Sequence, residues 1–558
     1  MDIAVVSGGA ASEAETQLLD DVVAGFSDFK GRPAVRSKSG LWKSTSFILG
    51  VEVAERFAYG GISSNLISYL TGPLGQSTAA AAANVNAWNG TAALLPLLGA
   101  FVADSFLGRY RTIMIAVVVY ILSLGFLSLS ATLHSDCKIL ENGSVCSPPL
   151  LEIIAFYLSL YLAALAEGGM RPCIQAFGAD QFDEENTNES KAKNSFFNWW
   201  FFSMAGGSLL ALLILNYIQE NLSWQLGFGI PCIVMCFALL LYLLGSFTYR
   251  FRLNNDEKNP FIRISRVFMN AVRNRHATFA SVEEQTKFKF LDKAVLAPDA
   301  STGGDNLCSK RDVDDAKAIL KLLPIWLTCL GYAVVLSQSS TLFTKQGKTM
   351  DREIMHGFEI PAATLQSLIS VTVILCIPLY DRVLVPVARA MTKKPAGITM
   401  LQRIGTGLFI SFLSMVIAAL VEKRRLTTAA KYGVADDEAV PMSVWWLAPQ
   451  YVLFGVSEVF VVVGLQEFFY DQVPNELKSI GLAMYLSILG IGDFLSSLLI
   501  SIIESITSRD GHESWFSNSM NRAHIDYFYW LLAGLSAIIM AAYAYFAKFY
   551  VYKKRDMI

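Results

Sequence analysis

Charge is scarce in this sequence. Only 16% of its 558 residues are Asp, Glu, Lys or Arg, against roughly 25% in ordinary soluble proteins, too little to solvate the several soluble domains that this length would otherwise make. The 45 Lys and Arg nearly balance the 47 Asp and Glu, so no overall field draws in nucleic acid. Histidine is limited to five residues, all in polar loops or at the ends of apolar runs. Any proton path through an apolar interior therefore has to use carboxylates. The eight cysteines include no CxxC pair and no Cys/His cluster with zinc spacing, which excludes the usual metal frameworks. The opening MDIAVVSGGAASEAETQLLDD lacks both the basic start and the apolar stretch of a signal peptide, and no lipidation motif is present. Membrane insertion is expected to use the first true span.

Apolar length is what the chain has in abundance. Hydrophobic residues make up 53% and the mean hydropathy is +0.43. A soluble enzyme, a disordered protein and a disulfide-rich secreted module are all excluded by this composition. Reading for apolar runs predicts twelve spans, near 45–70, 85–105, 111–133, 150–170, 196–218, 225–247, 318–340, 364–388, 401–421, 443–465, 480–503 and 525–548. At about 20 residues each, twelve helices need roughly 240 residues. The longest polar insert, 248–317, splits them six and six. The expected organisation is a cytoplasmic tail (1–44), a six-helix bundle (45–247), a cytoplasmic central loop (248–317), a second six-helix bundle (318–548) and a cytoplasmic tail (549–558). Within the loop, RFRLNNDEKNPFIRISRVFMNAVRNRHATF predicts a basic amphipathic helix lying on the membrane surface. Lys and Arg of the loop and of the terminal KKRDMI put both termini in the cytoplasm; the predicted far-side loop with Lys423, Arg424, Arg425 and Lys431 runs against that bias. The fold class is thus an all-α polytopic membrane protein whose layout of two bundles and one long connection is that of major-facilitator transporters.

Ionisable residues inside spans are costly and are functional candidates. The first span, FILGVEVAERFAYGG, sets Glu52, Glu55 and Arg56 on one helical face, a carboxylate pair beside a fixed cation that can exchange a proton for an ion pair. In the fourth, ALAEGGMRPC, Glu167 and Arg171 are spaced to neutralise each other, and the Gly-Gly pair and Pro172 predict a broken helix end presenting Arg171 to an anion. The tenth span carries Glu458 with no cation near it in sequence, a candidate for substrate contact or coupling. Asp493 in the eleventh is a weaker candidate, set among packing Gly and Ser. Between spans two and three, Asp104, Gly108, Arg109 and Arg111 predict a capped cytoplasmic turn whose charges can latch against another helix.

Together Glu52-x-x-Glu55-Arg56-Phe57, the turn Asp104–Arg109, GGMRPCIQAFGADQFD, FFNWWFF, FLDKA, LPIW and LQEFFYDQVP resemble the plant nitrate and peptide transporter family of the proton-coupled oligopeptide transporter superfamily. The resemblance covers nearly all of the chain after about residue 40. It implies a major-facilitator fold of twelve helices, alternating access and symport with a proton, with no other cofactor. It assigns proton coupling to Glu52, Glu55 and Arg56, gating to Asp104 and Arg109, and substrate binding to Arg171, Glu458, Tyr59 and the position of Leu336. Its partners would be a small-molecule solute, protons and the lipid bilayer, in the plasma membrane or the vacuolar membrane, and not nucleic acid. Several departures bear on the solute. Arg171 stands where most relatives have lysine. Gly60 replaces a second tyrosine, which is expected to widen the cavity. Leu336 falls where a nitrate-binding histidine is known among relatives, and FFNWWFFS lacks the asparagine of microbial peptide carriers. Peptide and nitrate are both weakened, leaving an organic anion or hormone-like carboxylate favoured among small anionic or zwitterionic solutes. A solute sensor with little net transport would use the same residues.

Cys137 and Cys146 share the predicted far-side loop between spans three and four, with the acceptor sequence Asn142-Gly-Ser between them. An oxidising compartment there permits a disulfide. A membrane-impermeant thiol reagent is expected to reach these two positions from the far side only after reduction; labelling from the cytoplasmic side would reverse the orientation.

Overall fold

In hydrocarbon no water is present to satisfy backbone N–H and C=O groups, so a chain this apolar must close its hydrogen bonds within helices. The computed structural model describes residues 21–132, 149–183, 186–252, 260–274, 288–292, 294, 308–355, 357–392, 398–434, 438–474, 477–508 and 514–552. Cys137, Asn142 and Cys146 lie outside them, and with them the expected disulfide and acceptor. Helix α1 (Leu41–Ser63) is 23 residues, roughly 34 Å at 1.5 Å per residue. Eleven further segments among the described residues are long and apolar enough to cross a bilayer. They are α2 (Thr78–Leu107), α3 (Arg109–Ser130), α4 (Leu150–Ala179), α5 (Thr187–Asn221), α6 (Trp224–Gly245) and α7 (Lys310–Lys348), then α8 (Ala362–Met391), α9 (Met400–Tyr432), α10 (Val444–Asp471), α11 (Lys478–Thr507) and α12 (Ile525–Phe549). Many outward side chains on them are apolar: Leu158, Leu165, Ile233, Phe237, Leu375 and Ile538 are 55% to 69% exposed, a surface suited to lipid and not to water.

Two compact units divide the described residues. The first comes from Met1–Ser64 and Leu95–Asp256, the second from Asn65–Leu94 and Glu257–Ile558. In the first, α1 packs on α5 and α6, and α3 on α4 and α6; in the second, α9 packs on α10 and α12, α7 on α11 and α12, and α8 on α10. Helix α2 is shared, because residues 78–94 belong with the second unit.

Several elements differ from the sequence expectation. The first span does not run to residue 70: α1 stops at Ser63, and a separate short helix covers Leu66–Thr71. Helix α9 continues through Lys423 to Tyr432, so those charges are helical and not a loop. Arg425 is fully buried, bound to Glu422 at 2.7 Å and donating to Asn521 Oδ1 at 2.8 Å, which removes it from the count of solvent-facing far-side cations. The amphipathic helix forms over Pro260–Arg273, but its face Ile264, Val267 and Ala271 is buried in the core of the second unit instead of resting on a membrane surface. Arg263 fixes it to the start of α7 through Asp315 at 2.7 Å and Asp312 at 3.3 Å.

Residues expected only as an N-terminal tail form strands. β1 (Val22–Ser27) pairs antiparallel with β2 (Pro33–Val35) and with β3 (Phe251–Arg252), just beyond α6. Beside this small sheet lies a polar lock. Arg250 is fully buried, holds Glu189 at 2.7 Å and donates to the carbonyl of Ser39 at 2.9 Å. Gln181 exchanges two bonds with the Arg250 backbone, accepting from its N–H at 2.8 Å and donating to its carbonyl at 3.1 Å. Arg36 adds Asp183 at 2.6 Å and Glu189 at 3.2 Å. Gly40, at φ 78°, passes so close to Arg250 that any Cβ would overlap its guanidinium; only glycine meets both demands. Removing one partner of a buried ion pair costs about 3–5 kcal/mol, and Arg36 remains to hold Glu189. Arg250→Ala is therefore expected to destabilise by about 3 kcal/mol, with part of the loss restored by adding Glu189→Gln. Thermal unfolding in detergent checks this, and an unchanged Tm for Arg250→Ala would contradict it.

Candidate functional site

The face predicted on α1 exists, and it is buried. Glu52 and Glu55 are fully inaccessible and Arg56 is 7% exposed. The Arg56 Nε sits 3.0 Å from Glu52 Oε1 and 2.8 Å from Glu55 Oε2, and its Nη2 is 3.8 Å from Glu167 Oε1 on α4. That same Glu167 oxygen lies 2.8 Å from Arg171 Nε one turn further along α4. Arg171 in turn rests over the ring of Tyr59, 4.9 Å from its centroid, which brings the α1 face and the α4 pair into one chain of contacts. Its side chain is 27% exposed, the most accessible member of the ion-paired set.

Small residues pack α2 and α3 closely on this stretch of α4. Gly99 of α2 and Gly168 of α4 approach so closely that a Cβ on either would overlap the other helix, and Gly169 lies against Ala116 and Thr112 of α3. The expected helix break at Pro172 is absent: α4 is one helix from Leu150 to Ala179 with Pro172 inside it. Proline cannot donate to the Gly168 carbonyl, and its ring crowds that turn, yet α4 continues through it, packed by Gly168 against α2 and by Gly169 against α3. Arg171 is therefore presented from a helix face and not from a helix end.

Gly60 also differs from expectation. A Cβ there would lie 2.8 Å from the Cβ of Ala211 on α5, and one at Gly61 would overlap Leu215. The missing tyrosine lets α1 and α5 close up, so no space opens at this position.

Charge counting shows what the cluster can do. Glu52, Glu55 and Glu167 bring three negative charges, Arg56 and Arg171 two positive ones, so the fully ionised set is one proton short of neutral. Glu52 Oε2, Glu55 Oε1 and Glu167 Oε2 are buried without a hydrogen-bond donor. Glu55 and Glu167 stand within hydrogen-bonding reach of each other when one is protonated, a geometry in which one proton serves two carboxyls. The phenol of Tyr120 on α3 lies beside them, its oxygen also buried and unpartnered. Sequence reasoning treated Glu167 only as the neutraliser of Arg171. Its link to Arg56 was invisible because it depends on how closely α1 and α4 approach.

The turn after α2 is a latch of a definite kind. Its last residues, Ala103–Leu107, form a π-turn, and Gly108 at φ 75° redirects the chain into α3. Arg109 reaches Asp180 at the end of α4 at 2.6 Å and Asp104 at 3.4 Å. Asp180, in the GADQFD motif, is the partner the sequence did not single out.

In the second unit Glu458 lies on α10 beside Tyr332 of α7, and no ion pair reaches it among the described residues. Arg403 of α9 is engaged with Glu467 at 3.3 Å, the Val459 carbonyl at 3.0 Å and the face of Tyr380 at 4.2 Å. Leu336 closes the helical stretch Leu323–Leu336 and packs against the hydrophobic core of this unit, bringing no donor for an anion. No group of three or more His, Cys, Asp or Glu able to hold a metal ion exists among the described residues.

Comparison with known proteins agrees with the motif reading. Residues 110–516 match the family model described as PTR2, POT family. Protein NRT1/PTR FAMILY 5.10 of Arabidopsis thaliana is 61% identical over 98% of this chain and 99% of its own length. NRT1/PTR FAMILY 5.12 of the same plant is 54% identical over 94% and 95%. Among solved structures, an autoinhibited POT family peptide transporter superposes with a TM-score of 0.71 at 22% identity, covering 92% of this chain and 98% of its own. A POT family transporter in complex with 5-aminolevulinic acid gives 0.62 at 16% identity, covering 92% and 97%. These likenesses fix the major-facilitator fold of twelve membrane helices in two six-helix bundles. The chain belongs to the POT family, among its NRT1/PTR members, and is a multi-pass membrane transporter and not an enzyme.

Proposed function

We propose that the protein is a proton-coupled symporter of a small solute bearing a carboxylate. The observation that carries this reading is Arg171, a partly accessible guanidinium tied to the proton-deficient cluster through Glu167. Arginine holds a carboxylate with two parallel bonds and does not deprotonate, so it suits an organic anion or zwitterion. Nitrate would need further close donors to replace its hydration, and Leu336 brings none. A relative crystallised with 5-aminolevulinic acid supports a solute of this chemical class.

In this reading a solute carboxylate competes with Glu167 for Arg171. Glu167, released from its cation, shares a proton with Glu55, and the ion pairs of Arg56 rearrange around that proton. Solute and proton thus enter the cycle together. Glu458, in the second unit, serves as a further substrate contact. Both termini face the cytoplasm, in the plasma membrane or the vacuolar membrane, as the bias of Lys and Arg supports.

The test is uptake into proteoliposomes from a mixed pool of organic anions under an inward proton gradient, with the accumulated species identified by mass spectrometry. Glu55→Gln should abolish accumulation against a gradient while leaving binding in place. Arg171→Ala, which loses a charge-assisted contact of about 1.5–3 kcal/mol, should weaken solute binding by about tenfold or more. Accumulation that survives Glu55→Gln, or nitrate uptake indifferent to Arg171→Ala, would overturn the proposal. Binding without accumulation by the unaltered protein would make it a sensor.

A further inference from the structure

One ionisable side chain in the second unit takes no part in the site above. Asp493 on α11 faces the interruption of α7, where a 3-10 turn over Ser337–Ser339 separates the stretches Leu323–Leu336 and Leu342–Lys348. Ser337 Oγ lies 2.5 Å from Asp493 Oδ1 and 2.9 Å from the carbonyl oxygen of Ala333. Both neighbours are oxygens that accept when Asp493 is ionised, yet a serine hydroxyl carries a single hydrogen. Pointed at Ala333 it leaves the Asp493 contact without a hydrogen, pointed at Asp493 it leaves the Ala333 carbonyl, and shared between them it makes two bent, weakened bonds. Both contacts are full hydrogen bonds only if Asp493 brings a hydrogen of its own.

Its surroundings provide no alternative. Ser337 is the only polar partner set against Asp493 among the described residues. Helix α7 has no acidic or basic residue between Lys321 and Lys345, its titratable groups there being Cys329 and Tyr332. Residues 65–94 contain none either; they meet α11 through Asn86, which donates to Ser496 Oγ at 3.0 Å. On α10, Glu458 faces Tyr332, which also has Tyr485 of α11 nearby. The helix Pro260–Arg273 joins the core near Leu477 and Ile480, at the start of α11, and its Arg263 is bound to Asp312 and Asp315. No cation thus compensates a bare carboxylate at Asp493 among the described residues. The next layer is equally short of hydrogens: Gln338 donates to Ser496 Oγ at 2.9 Å, while Gln338 Oε1 and Asn86 Oδ1 are buried without a donor.

We propose that Asp493 is a second proton-binding site, separate from the carboxylate cluster of the first unit, which in this conformation carries a proton and donates it to Ser337 Oγ at the interruption of α7. Loss of that proton turns the Ser337 hydrogen toward the carboxylate and away from the Ala333 carbonyl, so the last turn before the 3-10 segment loses a bond. Proton occupancy and the integrity of the α7 interruption are thereby linked.

Infrared difference spectroscopy on the full-length protein in lipid vesicles reads this directly, because a protonated carboxyl has a carbonyl-stretch band that a carboxylate lacks. An ordinary aspartate, with a pKa of about 3.9, has lost that band at pH 7. At pH 7 the unaltered protein is expected to show one more protonated-carboxyl component than Asp493→Asn, whose amide can still donate to Ser337 and so preserves the fold. Ser337→Ala, which retains the acid but removes its partner, should shift that component in frequency. Spectra at pH 7 that superimpose for the unaltered protein and Asp493→Asn would overturn the proposal. Should Asp493→Asn fail to fold, a Ser337→Ala spectrum identical to the parent would do the same. Neither result bears on solute accumulation through Arg171 and Glu55.

Discussion

The constraint that organises the first unit is the cost of burying a guanidinium where no water can reach it. Arg56 is tolerated because acids from two helices surround it, Glu52 and Glu55 from its own and Glu167 from α4. Each of those acids is tolerable only because of Arg56 or Arg171. The pairs at 2.8–3.0 Å lie within α1 and within α4, and the 3.8 Å contact of Arg56 with Glu167 joins the two helices; the small residues of α2, α3 and α4 let α2 and α3 pack closely on α4. An ionic group held this way is a poor source of stability and a good source of responsiveness: its balance can be tipped by a single proton or a single anion.

Where α1 begins and α6 ends, the same chemistry serves a different purpose. Arg250, Glu189, Arg36, Asp183 and Gln181 tie the strands before α1, the loop after α4 and the end of α6 into one fixed corner. Arg109 and Asp180 fasten the α2–α3 turn to the same end of α4. The polar corner is rigid because its charges are matched one for one, whereas the cluster around Arg56 is left one proton short.

Much of this was legible in the chain itself. Apolar run length gave the number and order of the helices, since hydrocarbon leaves the backbone few options. The charged face of α1 followed from helical spacing alone. What could not be read depends on distances between helices. Glu167 looked like the private partner of Arg171 until α1 was placed beside it. Gly60 looked like open space until α5 was found against it. Pro172 looked like a break because local propensity was weighed without the packing of α2 and α3 against that stretch of α4. The strands at residues 22–35 are short and pair with a segment more than two hundred residues away, a relation that no local pattern reveals. Asp493 looked like part of a packing motif because its partner Ser337 comes from another helix.

The charges of α1 also bear on how the protein is made. A charged residue near the centre of a spanning helix costs about 2.5–3.5 kcal/mol on the translocon scale, and α1 carries three in adjacent turns. Glu167 and Arg171 leave the ribosome roughly 5–20 s later at ordinary elongation rates. During that interval α1 has only its internal pairs, Arg56 with Glu52 and Glu55. The charge balance of the first span is therefore completed only by a helix three spans downstream, and a change that weakens Glu167 would leave Arg56 with the acids of its own helix alone.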